Sequence, residues 1–429
     1  MPRCGLLGET LGHSYSPMLH GLLGDPAYRL FECPREQLDD FLQNGPWDGL
    51  NVTIPYKKLA AARCDVLSPE ARLLGSVNTL IRRPDGTLYG DNTDYFGFRR
   101  MALQSGIPVL GKKALVLGSG GASVTVCAVL RELGAASVTV ISRSGPDNYQ
   151  NLDRHRDAQL LVNTTPVGMY PACPASPVEL RAFPACEGVL DIVYNPARTG
   201  LMLQAEALGI PCCSGLPMLA AQAKRSRELF TGRPIPESEI DRAVALLRQR
   251  LENIILIGMP GCGKSTVAAA LGERLGRPVL DADQVIAEQA GMSIPEIFAR
   301  QGEAGFRALE TRVLAELGKR SGILLATGGG CVTREDNYPL LHQNGTIFWL
   351  QRSLDALPTQ GRPISQATPL DALFARRLHA KIISSAADSI LDPLYFSGTD
   401  NHLSTEGVAI HTQAVIGYLT AALSEGGRP

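Results

Sequence analysis

Gly258-Met259-Pro260-Gly261-Cys262-Gly263-Lys264-Ser265 fits the pattern GxxxxGK[ST]. The backbone N–H groups of such a loop, at the N-terminus of a helix, can cradle phosphates, while Lys264 can reach β- and γ-phosphate oxygens and Ser265 can ligate Mg2+. Gly261, Cys262, Gly263 and Thr266 are nucleotide-binding candidates beside them. In Asp281-Ala282-Asp283, one carboxylate could hold the metal's water shell and the other a substrate hydroxyl, or both could simply be solvated. Arg307 and Glu310 lie three residues apart, on one face if helical. Arg307 could then grip a substrate carboxylate while Glu310 holds its guanidinium, the alternative being a surface ion pair. Gly328-Gly329-Gly330 would let a ligand approach the backbone closely, unless it is only a flexible turn. Arg362, before Pro363 in a polar stretch, could be carried by a lid to a transferring phosphoryl group.

The first half holds a second set. Asn51-Val52-Thr53-Ile54-Pro55-Tyr56-Lys57 places a lysine just past a rigid proline, at a cleft edge or in solvent. Gly90-Asp91-Asn92-Thr93-Asp94 gathers polar side chains before a helix that Asp94 could equally cap, and His13-Ser14-Tyr15-Ser16-Pro17 offers two hydroxyls around a turn. Gly118-Ser119-Gly120-Gly121-Ala122-Ser123 is a glycine loop between a strand and a helix, as the phosphates of a dinucleotide require. The next strand ends in Ser142-Arg143-Ser144 where an acidic residue would bind a ribose hydroxyl. A cation between two hydroxyls suits a 2′-phosphate, hence NADP over NAD.

These groups need rigid elements behind them. Apolar runs alternate with amphipathic stretches along residues 1–105; strands are expected at 112–117, 137–141, 159–162 and 188–193, and a helix at 218–229. The proline-bearing segment 231–239 and one more helix lead to a boundary near 248. A second alternation follows, with strands at 253–257, near 279, at 323–326 and at 346–350. The domains expected are 1–105, completed by helices in 216–248, then 106–215, 249–378, and a tail 379–429 with a helix near 408–423. The 429 residues carry 41 basic and 42 acidic side chains without a long run of either sign, which argues against nucleic acid or an anionic membrane as partner. Ten scattered cysteines without CxxC or zinc spacing read as reduced thiols, and no apolar run nears the roughly 20 residues that span a bilayer. A cytoplasmic enzyme with small-molecule substrates is the expectation; its oligomeric state is left open.

Residues 252–377 resemble shikimate kinase in the phosphate loop, Asp281-x-Asp283, Gly302-Glu303-x-x-Phe306-Arg307-x-x-Glu310, the triple glycine and Arg362 before proline. The resemblance implies that Asp283, Arg307 and Gly329 hold shikimate, that Lys264, Ser265 and Asp281 serve ATP and Mg2+, and that Asp283 and Arg362 act in catalysis. The family's Arg-x-Pro-x-Tyr stretch, on a late helix, is replaced by His379-Ala380-Lys381-Ile382-Ile383. Residues 1–245 resemble shikimate dehydrogenase in Ser14-x-Ser16-Pro17, Asn51-x-Thr53-x-Pro55-x-Lys57, Val77-Asn78-Thr79, Asn92-Thr93-Asp94, the glycine loop, Asp191-x-x-Tyr194-x-Pro196, and Gly215-Leu216-Pro217-Met218-Leu219 with Gln222. This implies that Ser14, Ser16, Thr53, Asn78, Asp94 and Gln222 hold the ring, that Lys57 and Asp94 are the catalytic pair, and that Gly118, Gly120, Gly121, Ala122, Ser142, Arg143 and Met218 hold NADP(H). Val124 stands where an arginine often follows the loop.

The fold implied is α/β throughout: a substrate-binding α/β domain, a Rossmann NADP-binding domain, then a P-loop parallel-sheet domain of the nucleoside-monophosphate-kinase kind. The function implied is reduction of 3-dehydroshikimate to shikimate with NADPH, then phosphorylation of the 3-hydroxyl with ATP and Mg2+, toward chorismate and aromatic amino acids. Two alternatives stay open: an NAD-dependent quinate/shikimate dehydrogenase, and a degenerate nucleotide-binding second domain acting as scaffold or regulator. The tail segment 397–407 faintly resembles the Asp/His block of SGNH-type esterases, without their serine block; a packing helix or a foreign sequence is the alternative.

Overall fold

The computed structural model describes residues 2–12 and 14–350, with the backbone of three short strands at 381–383, 396–397 and 402–403. The chain divides into two compact units, Met1–Asn195 with Thr199–Leu247, and Pro196–Arg198 with Arg248–Pro429.

The first unit contains two sheets. Strands β1 (Cys4–Gly8), β2 (Arg29–Glu32), β3 (Gly49–Val52), β4 (Val66–Leu67), β5 (Thr79–Arg82) and β6 (Leu88–Asp91) form a mixed sheet in the order β2-β1-β3-β5-β6-β4. β1 and β3 are buried at every position, the pattern of strands covered on both faces. The helices along this stretch are α1 (Ser16–Leu22), α2 (Leu38–Asn44), α3 (Lys57–Ala61), α4 (Pro69–Leu74) and α5 (Thr93–Gln104), of which α2, α3 and α4 share one core with the sheet. The second sheet is wholly parallel, with β7 (Lys113–Leu117), β8 (Ser137–Ile141), β9 (Leu160–Asn163), β10 (Gly188–Asp191) and β11 (Cys212–Cys213) in the order β11-β10-β9-β7-β8. Parallel strands need crossovers, supplied in part by α6 (Gly121–Glu132) and α7 (Gly200–Ala207).

Helix α8 (Leu216–Thr231) returns to pack on α5. Gly97 makes the approach possible, since a Cβ there would lie 2.6 Å from the Met218 carbonyl oxygen. Asp191, at the end of β10, is fully buried. Thr199 Oγ1 donates to it at 2.6 Å, the Val193 N–H at 3.0 Å and Asn163 Nδ2 at 3.0 Å, yet burial still pushes its carboxyl up to about 6. It ties three loops at the carboxyl ends of the strands. Helix α9 (Ser238–Leu251) follows.

The second unit is built on β12 (Asn253–Ile257), β13 (Val279–Asp281), β14 (Leu324–Ala326), β15 (Gly345–Leu350) and β16 (Lys381–Ile383), all parallel, in the order β13-β14-β12-β15-β16. Its helices are α10 (Lys264–Leu275), α11 (Ala282–Ala290), α12 (Ile294–Leu317) and α13 (Asn337–His342). The backbone of Lys381–Ile383 lies beside Phe348–Leu350 as an edge strand. That corrects the sequence comparison, which set this stretch against a late helix; adjacent β-branched isoleucines favour extended backbone.

Helix α12 is interrupted. Gly302 has φ 68° and ψ −178°, so the chain breaks there and restarts toward Glu303. Only glycine adopts that conformation readily. A Cβ at Gly302 would meet no neighbouring atom, which isolates the backbone cost. Gly302→Ala is expected to destabilise the second unit by about 1–3 kcal/mol, read as a lower denaturation midpoint. An unchanged midpoint would show that the break relaxes without cost.

Candidate active sites

In the first unit, Lys57 opens α3 and Asp94 lies in the first turn of α5. Lys57 Nζ donates to Asp94 Oδ2 at 2.5 Å, and the two side chains are 31% and 19% exposed. The pair is therefore half-buried, close enough to exchange a proton and open enough to meet a ligand. Asp94 does not cap its helix; the cap position is Asn92, whose side chain makes no capping bond and donates to Ser76. Ser14 accepts the Ser16 N–H at 3.2 Å and both serines are partly exposed at the start of α1, just past the carboxyl end of β1. Thr53 follows β3, the neighbouring strand, and its N–H is bound to the Leu7 carbonyl.

Asn78 is buried, and its Oδ1 accepts the Thr93 N–H at 2.7 Å. The amide is thereby oriented with oxygen inward. Thr93 Oγ1 lies 3.4 Å from Gln222 Oε1, so β5, α5 and α8 bring Asn78, Gln222 and the residue next to Asp94 to one place. Thr79, Thr93, Ser226 and Asn51, all buried, complete a polar network that sequence reasoning gave no role. The available signal was Asn51, a polar residue inside an otherwise apolar strand, which must find partners when buried.

The glycine loop follows β7. Gly118 has φ 105°, and a Cβ there would lie 2.8 Å from the Thr165 methyl group. Thr164 Oγ1 donates to the Leu117 carbonyl at 2.8 Å and Ser123 Oγ to the Gly120 carbonyl at 2.6 Å, fixing the loop from both sides. At Gly120 and Gly121 a Cβ would meet nothing, so these positions open onto free space at the N-terminus of α6, beside half-exposed Ala122. A phosphate fits there. Arg143 is exposed past β8, while Ser142 Oγ accepts the Gly145 N–H at 2.7 Å. Met218 packs in the core with Phe98, Met101 and Val126. Its place is thus defined by packing.

In the second unit, Gly258 has φ 150°, and a Cβ there would lie 2.5 Å from the Leu350 carbonyl oxygen. Gly261 and Gly263 have φ 84° and 98°. Lys264 is buried, with Nζ donating to the carbonyls of Gly258 at 2.8 Å and Met259 at 3.0 Å; Cys262 is buried beside it. Ser265 and Thr266 are exposed at the start of α10. Ser265 Oγ donates to Asp281 Oδ2 at 2.6 Å, while Asp281 Oδ1 accepts the Asp283 N–H at 3.0 Å and caps α11. Asp281 is thus both a helix cap and the partner of the candidate metal-binding hydroxyl.

Arg307 and Glu310 are not a surface pair. Arg307 Nη1 donates to Glu310 Oε2 at 2.7 Å, with side chains 7% and 0% exposed. Burial raises the Glu310 carboxyl pKa, against the opposing pull of Arg307. Among the described residues, Arg307 Nε and Nη2 and Glu310 Oε1 are buried without hydrogen-bond partners, Nε lying 3.6 Å from Glu303 Oε1. The triple glycine packs on this group: a Cβ at Gly330 would strike Arg307 Nη2 at 2.1 Å, one at Gly328 would lie 2.7 Å from Asp283 Oδ1, and one at Gly329 would strike Pro260 of the phosphate loop. Spare guanidinium N–H groups beside Asp283 suit a ligand bearing a carboxylate and hydroxyls. Arg362, the tail segment 397–407 as a motif and the helix expected near 408–423 lie outside the described residues.

A parallel sheet whose glycine loop opens a helix, in one unit with a half-buried Lys–Asp pair, defines a dinucleotide-dependent dehydrogenase; the second unit defines a P-loop phosphotransferase. Family models match at residues 6–80, shikimate dehydrogenase substrate binding domain, and at 260–392, shikimate kinase. The chain is 32% identical over 255 residues to the NADP(+) shikimate dehydrogenase of Clostridium perfringens strain SM101, covering 54% of this chain and 94% of the relative. It is 37% identical over 249 residues to an NADP(+) shikimate dehydrogenase of Thermus thermophilus, covering 54% and 93%. Among solved structures, a chorismate mutase/shikimate 5-dehydrogenase fusion from Clostridium acetobutylicum aligns with TM-score 0.54 at 34% identity, covering 57% of this chain and 96% of that one. The Thermus thermophilus shikimate 5-dehydrogenase, solved with NADP(H) and shikimate, aligns with TM-score 0.51 at 36% identity, covering 57% and 98%. The chain belongs to the shikimate dehydrogenase family and carries a shikimate kinase domain behind it. No helix among the described residues is long and apolar enough to cross a membrane.

Proposed function

We propose that this protein is bifunctional, reducing 3-dehydroshikimate to shikimate with NADPH in its first unit and phosphorylating the shikimate 3-hydroxyl with MgATP in its second. The observation that carries the reading is the half-buried Lys57–Asp94 pair, 2.5 Å apart beside the Asn78–Gln222 network. When bound, NADPH supplies the hydride and MgATP the phosphoryl group. Lys57 Nζ gives a proton to the ring carbonyl oxygen and stabilises the negative charge developing on it, and Asp94 holds that ammonium in place. Ser14, Ser16, Thr53, Asn78 and Gln222 bind the ring's oxygens. Gly118, Gly120, Gly121 and Ala122 receive the cofactor's phosphates, and exposed Arg143 with Ser142 meets the 2′-phosphate.

In the second unit, Arg307 holds the substrate carboxylate with Gly329 alongside, and Asp283 orients the attacking hydroxyl and takes its proton. Gly261, Cys262, Gly263, Lys264, Ser265 and Thr266 embrace the nucleotide phosphates. Ser265 and Asp281, already joined at 2.6 Å, hold the Mg2+ and its waters.

Purified full-length protein assayed with 3-dehydroshikimate is expected to oxidise NADPH much faster than NADH, and with shikimate and MgATP to form ADP. Preference for NADH would overturn the role of Arg143. ATP binding without phosphorylation would favour a second reading, a nucleotide-binding scaffold, which the departure at residues 379–383 motivates.

A further inference from the structure

We propose that Ser226 is a positioning residue of the dehydrogenase site, whose hydroxyl fixes which ends of the Asn78 and Gln222 amides face the substrate. The inference rests on the dehydrogenase reading of the first unit. Ser226, Thr79 and Thr93 are buried, with hydroxyl oxygens 3.0–3.2 Å apart pairwise. Asn51 enters the cluster from β3. Its Oδ1 accepts the Tyr28 hydroxyl at 2.8 Å, so its Nδ2 donates to Ser226 Oγ at 2.7 Å and Thr79 Oγ1 at 3.1 Å. The same nitrogen faces the Asn78 carbonyl at 3.4 Å, a group that can only accept, and this pins the Asn51 amide.

Each hydroxyl has one proton to give, and Ser226 Oγ, which accepts an N–H from Asn51, can also accept from Thr79 at 3.0 Å or Thr93 at 3.1 Å. Ser226 Oγ donates to the Gln222 backbone carbonyl at 2.9 Å, one turn back on α8. Thr79 Oγ1 donates either to Ser226 Oγ at 3.0 Å or to Asn78 Oδ1 at 3.1 Å, and Thr93 Oγ1 either to Asn78 Oδ1, which also accepts its N–H, at 3.1 Å or to Gln222 Oε1 at 3.4 Å. Both side-chain amides thus turn their oxygens toward these hydroxyls. Asn78 keeps its NH2 without a partner among the described residues, and Gln222, whose Nε2 donates to the Leu219 carbonyl at 3.0 Å, keeps one N–H. With the Lys57 ammonium, the site presents donors and asks for a ligand rich in acceptor oxygens. Ser226 is the hub. Without its hydroxyl, Asn51 loses an acceptor, and Thr79 and Thr93 lose the oxygen that holds them in register.

The test compares steady-state constants for 3-dehydroshikimate in wild type, Ser226→Ala, Thr93→Val, Thr93→Ser, Gln222→Ala and the Ser226→Ala/Gln222→Ala double variant. Ser226→Ala and Thr93→Val are each expected to raise KM about tenfold, with kcat within about threefold and the KM for NADPH unchanged, since a released amide weakens ring binding and leaves the Lys57 chemistry in place. Thr93→Ser, which keeps the hydroxyl, is expected to restore KM. On the Gln222→Ala background, Ser226→Ala is expected to add less than about twofold. An unchanged KM in folded Ser226→Ala, a loss confined to kcat, or full multiplication of the two effects in the double variant would overturn the proposal. If Ser226→Ala fails to fold, the Thr93→Val and Thr93→Ser pair decides by the same KM criterion. Wild type that neither binds nor reduces 3-dehydroshikimate would remove the dehydrogenase reading, and the proposal with it.

Discussion

Lys57→Ala is expected to lower kcat for reduction of 3-dehydroshikimate by about 10²- to 10⁴-fold, the range for loss of a positioned proton donor, with KM changed far less. The geometry makes the result interpretable. With side chains 31% and 19% exposed, the Lys57–Asp94 pair is half-buried and still reached by solvent, and ion pairs of this kind contribute about 1 kcal/mol or less to stability. The variant should therefore fold, and its loss should lie in turnover. Asp94→Asn should fall in the same direction with a smaller drop, because the lysine keeps a hydrogen-bonding neighbour and loses only its charged one. Near-normal turnover of Lys57→Ala would remove this residue from the chemistry.

Arg307→Ala is expected to abolish phosphorylation of shikimate and to destabilise the second unit by about 3–5 kcal/mol, the cost of leaving one member of a buried ion pair alone. Glu310 is fully buried, and Arg307 is the cation donating to it. The two effects can be separated. Replacing the pair together, Arg307→Met with Glu310→Leu, removes both buried charges, and such exchanges are often neutral or better for stability. That double variant should recover much of the denaturation midpoint and none of the kinase activity. Phosphorylation with an unchanged KM for shikimate, in either variant, would show that the guanidinium serves packing alone.

The parts of the fold most legible in the sequence are those where backbone geometry restricts residue choice. Gly118 and Gly258 are glycines because φ is positive and a neighbour stands where a Cβ would go, and that restriction marks both phosphate loops in the amino-acid sequence itself. The apolar runs that locate β7, β12 and β15 follow equally directly from burial on both faces. The break in α12 is hidden, because a glycine can also sit inside a continuous helix and only the dihedral angles of Gly302 reveal the restart. Ser226 is hidden for another reason. A single serine on a helix carries no periodic signal, and its importance comes from Asn51 and Thr79, which are 175 and 147 residues away along the chain. Arg307 and Glu310 are legible as a pair but not as a buried one. Their spacing states which face they share, and only the packing of Gly328 and Gly330 states that the face is closed to water.

The seat of Lys264 has a thermodynamic consequence. Its ammonium already rests on the carbonyl oxygens of Gly258 and Met259, with the side chain buried. Ordering a free lysine side chain costs up to about 2 kcal/mol of rotamer entropy, and here that ordering occurs when the chain folds. A phosphate arriving at the loop meets a charge already in place, so recognition there is preorganised, and its entropic penalty falls mainly on the nucleotide.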